Sequence, residues 1–271
     1  MDIIAKVSRG TKMDQIYLPK NRSGLYLGSY VTIQAIIPPK SKETLFFYHI
    51  SKLEPIKQKI VEEVFSVIDQ TIESYDNIIL TGSFLEKGFH FNDLDLLLVT
   101  SDKIEAKPLE EAIEKITGIK TQVLIIDAKA LLQGLAMDPL YQAMLSRCIT
   151  KKRLIYRYQR SINYKLLDLH LLGSEALTRE CDLLDGKEKY KLARNMVAIF
   201  LFLKGKKVTF KSIESEIQRK LWISSDEIKN NSGDKKIFRK TCQHLYNETF
   251  SLILNAAKSQ QTNRIVHRKS H

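Results

Sequence analysis

Between Pro55 and Tyr75 apolar residues return every four positions, at Ile56, Ile60, Val64, Ile68 and Ile72, with Val61, Phe65 and Tyr75 beside them. Residues three and four apart share one face of a helix, so this stretch predicts an amphipathic helix that must pack on something. Three apolar runs of strand length follow: "NIILTG" (77–82), "DLDLLLVT" (93–100) and "TQVLIID" (121–127). They predict the sheet on which the helix packs. Between the second and third, "PLEEAIEKITG" predicts another helix, with Pro108 near its start and Gly118 at its end. Beyond Ala128 the pattern is helical over 130–145, 161–172, 187–203, 211–221 and 235–257, interrupted only by "RLIYRY" (153–158) as a strand candidate. Ahead of residue 38, short alternating runs are punctuated by Gly10, Pro19, Gly24 and Gly28, which is strand and turn chemistry. "QIYLP" (15–19) and "SYVTIQAII" (29–37) are the strand candidates there, and Pro38 to Lys42 reads as a linker. There is no internal repeat and no low-complexity tract. The expected class is α+β: a small β module over residues 1–40, a sheet flanked by helices over 41–158, and a helical region over 159–271.

Composition narrows the class. A chain of 271 residues with 44% hydrophobic content can fill one large or two modest cores. Lys and Arg outnumber Asp and Glu by 43 to 31, a formal charge of +12. Such an excess favours polyanionic partners, namely nucleic acid, nucleotides or anionic lipid surfaces, and is equally that of a merely basic solvated exterior. The sequence has no run of about eighteen apolar residues and no signal-peptide core, so a soluble cytoplasmic protein with no membrane contact is expected. Cys148, Cys181 and Cys242 are odd in number and far apart, against both a disulfide framework and a zinc cluster.

The chemistry concentrates in "LTGSFLEKGFHFNDLDLLLVT" (80–100). Residues two apart in a strand project to one face, so Asp93 and Asp95 aim their carboxylates together while Leu94, Leu96 and Leu98 point the other way. Two like charges held that close resist ionising together unless a cation lies between them. A hard divalent ion such as Mg²⁺ takes carboxylate oxygens and brings phosphate oxygens with it. Gly82 permits close approach of backbone to a phosphate, and the Ser83 hydroxyl can donate to it.

A Gly-Ser pair, a short loop and D-x-D on a hydrophobic strand resemble the nucleotidyltransferase superfamily, which includes polymerase beta, the CCA-adding enzymes, aminoglycoside nucleotidyltransferases and the minimal enzymes of toxin-antitoxin pairs. The resemblance covers roughly residues 54 to 158, including "TQVLIID" and "LYQAMLSRCITKKRLIY". It implies a mixed sheet flanked by helices and a Mg²⁺-dependent transfer of a nucleoside monophosphate from a nucleoside triphosphate. Two Mg²⁺ ions would sit on Asp93 and Asp95, the triphosphate near Gly82 and Ser83, and pyrophosphate would leave. It also implies a third carboxylate from a neighbouring strand, for which Asp127 is the candidate; a register that places Leu124 there removes it. Glu86 stands where many minimal members carry arginine, Asn92 where they carry serine, and the loop glycine is displaced to Gly88. The expected acceptor is RNA, tRNA included, or a protein side chain. The other reading is a fold that has lost catalysis and regulates by binding DNA or RNA. A small-molecule acceptor of the aminoglycoside type fits the charge less well.

"QIYLPKNRSGLYLGSYVTIQAI" resembles the swapped-hairpin modules of the AbrB type over about thirty-five residues, with "YLPK" and "LGSYVTI" in the places of their strand end and following turn. Ser29 replaces the usual acid. This implies an intertwined homodimer and contact with DNA; an ordinary β-hairpin is the other reading. Tyr156, Tyr158 and Tyr164 interleave with Lys151, Lys152, Arg153, Arg157 and Arg160, which either stack bases and neutralise phosphates or form a solvated helix start. His90 lies inside the loop and reads as an exposed residue, with contact to substrate the other reading. Lys191 and Arg194 read as surface charges rather than triphosphate ligands, and "NRIVHRKSH" as a frayed basic end.

Overall fold

In the computed structural model the chain divides into two compact units, residues 1–43 and 44–271. The structure describes residues 7–8, 13, 15–17, 24, 26, 28, 30–31 and 44–269, with side chains of the last helix to residue 258. In the first unit, β1 (Val7–Ser8) pairs antiparallel with β2 (Gln15–Ile16), Val7 opposite Ile16. The strand expected in "QIYLP" is therefore present at its start. Gly24 and Gly28 of the AbrB-like segment are in turns, Tyr30 and Val31 are not in a strand, and the rest of "SYVTIQAII" lies outside the described residues.

The second unit is mixed α/β. Its sheet contains β3 (Phe46–Tyr48), β4 (Asn77–Thr81), β5 (Leu94–Val99), β6 (Thr121–Ile126) and β7 (Cys148–Thr150), in the order β3-β7-β4-β5-β6. Only the β5–β6 pair is parallel, and α2 (Ala106–Thr117) makes the crossover that parallel pairing requires. Every residue of β4 is buried, as is β5 apart from Asp95, because both faces of the sheet are covered. On one face Val61, Val64, Phe65 and Ile68 of α1 (Pro55–Thr71), with Leu109 and Ile113 of α2, meet Ile78, Leu80, Leu94, Leu96 and Leu98. On the other, Ile79, Leu97 and Val99 meet Leu131 and Leu135 of α3 (Ala128–Met137) and Leu145 of α4 (Pro139–Leu145).

Three expectations need correction. The helix expected over 130–145 is two helices, because Pro139 has no N–H to continue the first; Asp138 caps the second, accepting from Leu140 N at 2.8 Å. "RLIYRY" is irregular, and the strand of this region is Cys148–Thr150. Ile56 is exposed, and its neighbour Lys57 is the buried residue at the start of α1.

The remaining helices are α5 (Tyr164–Gly173), α6 (Ala176–Arg179), α7 (Gly186–Leu203), α8 (Phe210–Leu221), α9 (Ser225–Lys229) and α10 (Lys235–Lys269). They pack around α7, in which every residue from Met196 to Phe202 is buried. Seven consecutive buried positions cover every direction around a helix, so α7 is the core of this region rather than one of its faces. A capping box starts it: Asp185 Oδ1 accepts from Glu188 N at 2.8 Å, and Asp185 N donates to Glu188 Oε2 at 3.0 Å. Polar ties join these helices to the sheet side, with Phe210 N donating to Ser146 Oγ at 2.8 Å and Arg160 donating to Phe202 O at 3.0 Å and Lys206 O at 2.7 Å. Among the described residues no helix is long and apolar enough to cross a membrane.

Candidate active site

The site grows from the antiparallel register of β4 and β5, which sets Thr81 opposite Asp95. The chain leaves β4 at Gly82 with φ +85° and ψ −166°, a backbone conformation suited to glycine alone. A Cβ there would lie 1.9 Å from Asp95 Oδ2. Glycine is thus required twice over, and the Gly-Ser turn and the aspartate pair occupy one pocket. Ser83 opens a single 3₁₀ turn (Ser83–Leu85) and is exposed, with Glu86 N donating back to Ser83 O at 3.0 Å.

Asp93 immediately precedes β5, and Leu94 to its C-terminal side is held by Leu94 N donating to Lys120 O at 2.8 Å. The leucines Leu94, Leu96 and Leu98 go into the α1–α2 core. Asp95 projects to the other face, where burial, and then the charge of Asp93, pushes its carboxyl above the usual range. The opposing influences on Asp95 are Lys191 and Arg194, in that order. Lys191 is exposed, as expected of a surface charge, and Arg194 is partly buried; both are placed to bear on Asp95. With Lys187 they form an i, i+4, i+7 stripe on α7; Lys187 Nζ donates to His90 O at 3.4 Å, so the stripe runs along the loop that joins Ser83 to Asp93. Among the described residues, no hydrogen-bond partner reaches the buried Arg194 Nε.

That loop is fastened from beneath. Lys57 is fully buried, donates to Glu86 O, pairs with Glu54 at 3.3 Å, and lies 5.4–5.5 Å from the rings of Phe84, Phe89 and Phe91. Glu54 also accepts from Gly88 N at 2.7 Å. Glu86, the residue that departs from the family pattern, ties the loop to the helices: its carboxylate meets Lys229 at 2.8 Å and Arg147 at 3.9 Å. Arg147 in turn donates to Leu85 O. A hydrophobic-pattern reading passes over Lys57 because a lone lysine in an apolar face gives no periodic signal.

The structure does not bring Asp127 to the pair. Parallel pairing sets Gln122 opposite Asp95, and Asp127 follows the far end of β6, about 16 Å further at strand rise. There it caps α3, accepting from Ala130 N at 2.6 Å. The neighbouring-strand residue opposite Asp95 is Gln122, whose Nε2 donates to Asp93 Oδ2 at 3.3 Å; half-exposed Leu124 is the next residue on that face, opposite Leu97. Among the described residues no three His, Cys, Asp or Glu side chains gather at one point. The two carboxylates nonetheless fit a hard divalent cation: they are close enough to interact, Asp95 is raised by burial and then by the charge of Asp93, and among the described residues no hydrogen bond reaches the Asp95 carboxylate.

The basic and aromatic run after residue 150 is largely used within the fold. Lys151 pairs with Asp69, Lys152 Nζ donates to Tyr75 O at 2.9 Å, Arg153 lies over Phe46, and Tyr156 packs against the α3–α4 core. Compared with known proteins, the chain matches no protein-family profile and no curated sequence.

Proposed function

We propose that this protein is a nucleotidyltransferase, with the nucleotidyltransferase fold in residues 44–158, that moves a nucleoside monophosphate from a triphosphate to a hydroxyl of an acceptor, most naturally RNA. The observation that carries the reading is the contact between Gly82 and Asp95: the glycine's missing side chain leaves the space that the carboxylate fills. A phosphate-cradling turn and a cation-holding pair are thereby one site. Mg²⁺ held by Asp93 and Asp95 would supply charge neutralisation at the α-phosphate and the leaving pyrophosphate. Ser83 and the amides after Gly82 would receive phosphate oxygens, and Lys191 and Arg194 would draw the triphosphate across from the helical side. In the transfer the acceptor oxygen bonds to the α-phosphorus, the bond to the bridging oxygen breaks, pyrophosphate leaves, and the hydroxyl proton passes to solvent.

Gln122 opposite Asp95, on a strand that carries no carboxylate, favours a second reading, in which the site holds nucleotide without transferring it. Labelled triphosphates incubated with Mg²⁺ and total RNA separate the two. Incorporation by the wild type that falls at least about 100-fold in Asp93→Ala and Asp95→Ala supports transfer. Calorimetric binding of the triphosphate with no incorporation supports the second reading, and neither binding nor incorporation overturns both.

A further inference from the structure

A groove of about 560 Å³ lies on the surface of the helical region, far along the chain from the aspartate pair. Lys236, Arg239, Lys240 and His244 of α10 line it, and among the described residues its lining includes no Asp or Glu. Three permanent cations without a compensating acid in one groove repel each other, and a bound polyanion relieves that repulsion. Arg239 is fixed in place by donating from Nε to Thr178 O of α6 at 2.8 Å, whereas Lys236 and Lys240 extend from exposed positions one turn apart. Gln243 and Asn247 continue the same stripe; Gln243 Nε2 donates to Asn247 Oδ1 at 3.1 Å, which leaves the Gln243 carbonyl to accept and the Asn247 amino group to donate. From Lys236 to Asn247 the stripe runs about 16 Å at helical rise. That length suits a chain of phosphates rather than a single one.

The segments bounding the groove lead to the site. Residues after α6 enter α7, where Lys187 reaches His90 O at 3.4 Å; α10 is preceded by α9, where Lys229 meets Glu86 at 2.8 Å. Gly186 holds the two together, since a Cβ there would lie 2.0 Å from Lys229 O.

We infer that this groove between α6 and α10 binds the phosphodiester backbone of single-stranded RNA. Lys236, Arg239 and Lys240 contact phosphates, while Gln243 and Asn247 meet ribose hydroxyls and base edges, the polar groups that an unpaired strand presents. As the docking site of the acceptor, the groove rests on the transfer reading above; as an RNA site it does not.

The test is fluorescence anisotropy with a labelled mixed-sequence 12-nucleotide RNA and the full chain, comparing wild type, Asp93→Ala and the double variant Lys236→Gln/Lys240→Gln over a salt series. The double variant is expected to bind at least 5-fold more weakly, with a log–log salt slope shallower by about 1.4, since each lost phosphate contact on a single strand removes about 0.7. Its thermal melt and its calorimetric affinity for Mg²⁺-triphosphate should match wild type, and Asp93→Ala should bind RNA as wild type does. Unchanged affinity and slope in the double variant overturn the inference even where wild type transfers label. Loss of RNA binding in the double variant sustains it even where wild type transfers none. Equal or tighter binding of duplex DNA or polyglutamate, lost in the same variant, overturns the assignment to RNA.

Discussion

Gly82 and Asp95 depend on each other's side chains, one by absence and one by charge. Gly82→Ala would force its methyl into Asp95 Oδ2 and strain a positive φ, so a loss of about 1–3 kcal/mol in stability is expected, with triphosphate binding lost as well. Denaturant melts and calorimetry on the same preparation check both. Asp95 is raised first by burial and then by Asp93, so its ionised form is a cost to the fold near neutrality. The sign follows: a carboxyl raised in the folded state contributes stability at low pH that is lost as pH rises through its folded value. Without divalent ions, Asp95→Asn should therefore melt higher than wild type at pH 7, at about 2–4 °C per kcal/mol relieved. Adding Mg²⁺ and a triphosphate should raise the wild-type melt and leave the variant's unmoved. A variant that melts lower in metal-free buffer would refute the electrostatic account.

Along α7, Lys191 and Arg194 read in the sequence as surface charges; that they form a stripe with Lys187 beside the loop after Ser83 is set by the packing of α7. Lys191→Gln/Arg194→Gln is expected to weaken triphosphate binding by at least about 10-fold, as charge-assisted hydrogen bonds contribute about 1.5–3 kcal/mol each. Equal calorimetric affinities would show that the stripe serves only the apo pair. Under the loop, Lys57 joins α1 to Glu86 O and three aromatic rings. Lys57→Ala should cost about 3–5 kcal/mol, the usual consequence of breaking a buried ionic contact, and hydrogen exchange should rise in residues 83–92 before it rises in β4. The elements α1, α2, β4, β5 and β6 were all legible, because period and end signals are local. The β3 and β7 strands were not: with three residues each, they are too short to carry a period and exist through their pairing with one another and with β4.

Across residues 44–258, all three cysteines are buried, Cys148 within strand β7 against the α3–α4 core and Cys181 and Cys242 in the helical core. Burial pushes the Cys148 thiol from 9.0 up to about 12 and raises Cys181 and Cys242 as well. Thiol reagents at pH 8 should label none of them in the native protein and all three after unfolding, and labelling at the native rate of an exposed thiol would contradict the packing. A raised thiol contributes stability that is complete below the unfolded value and is lost as pH climbs through the folded one. Native stability should accordingly fall between about pH 9 and 12, the window set by Cys148, with Tyr75, also raised to about 12, adding to it. A Cys148→Ala variant, followed by denaturant melts across that range, should show a shallower fall. The chain's own order of residues dictated α1, α2, β4, β5 and β6 and the placing of two acids at the start of a strand that follows a glycine turn, since each follows from neighbours a few positions apart. Which residue faces that pair from the next strand, Gln122 rather than Asp127, and which cations reach it from α7 were decided by strand register and helix docking. Those are set by burial between segments distant along the chain, for which no local pattern exists.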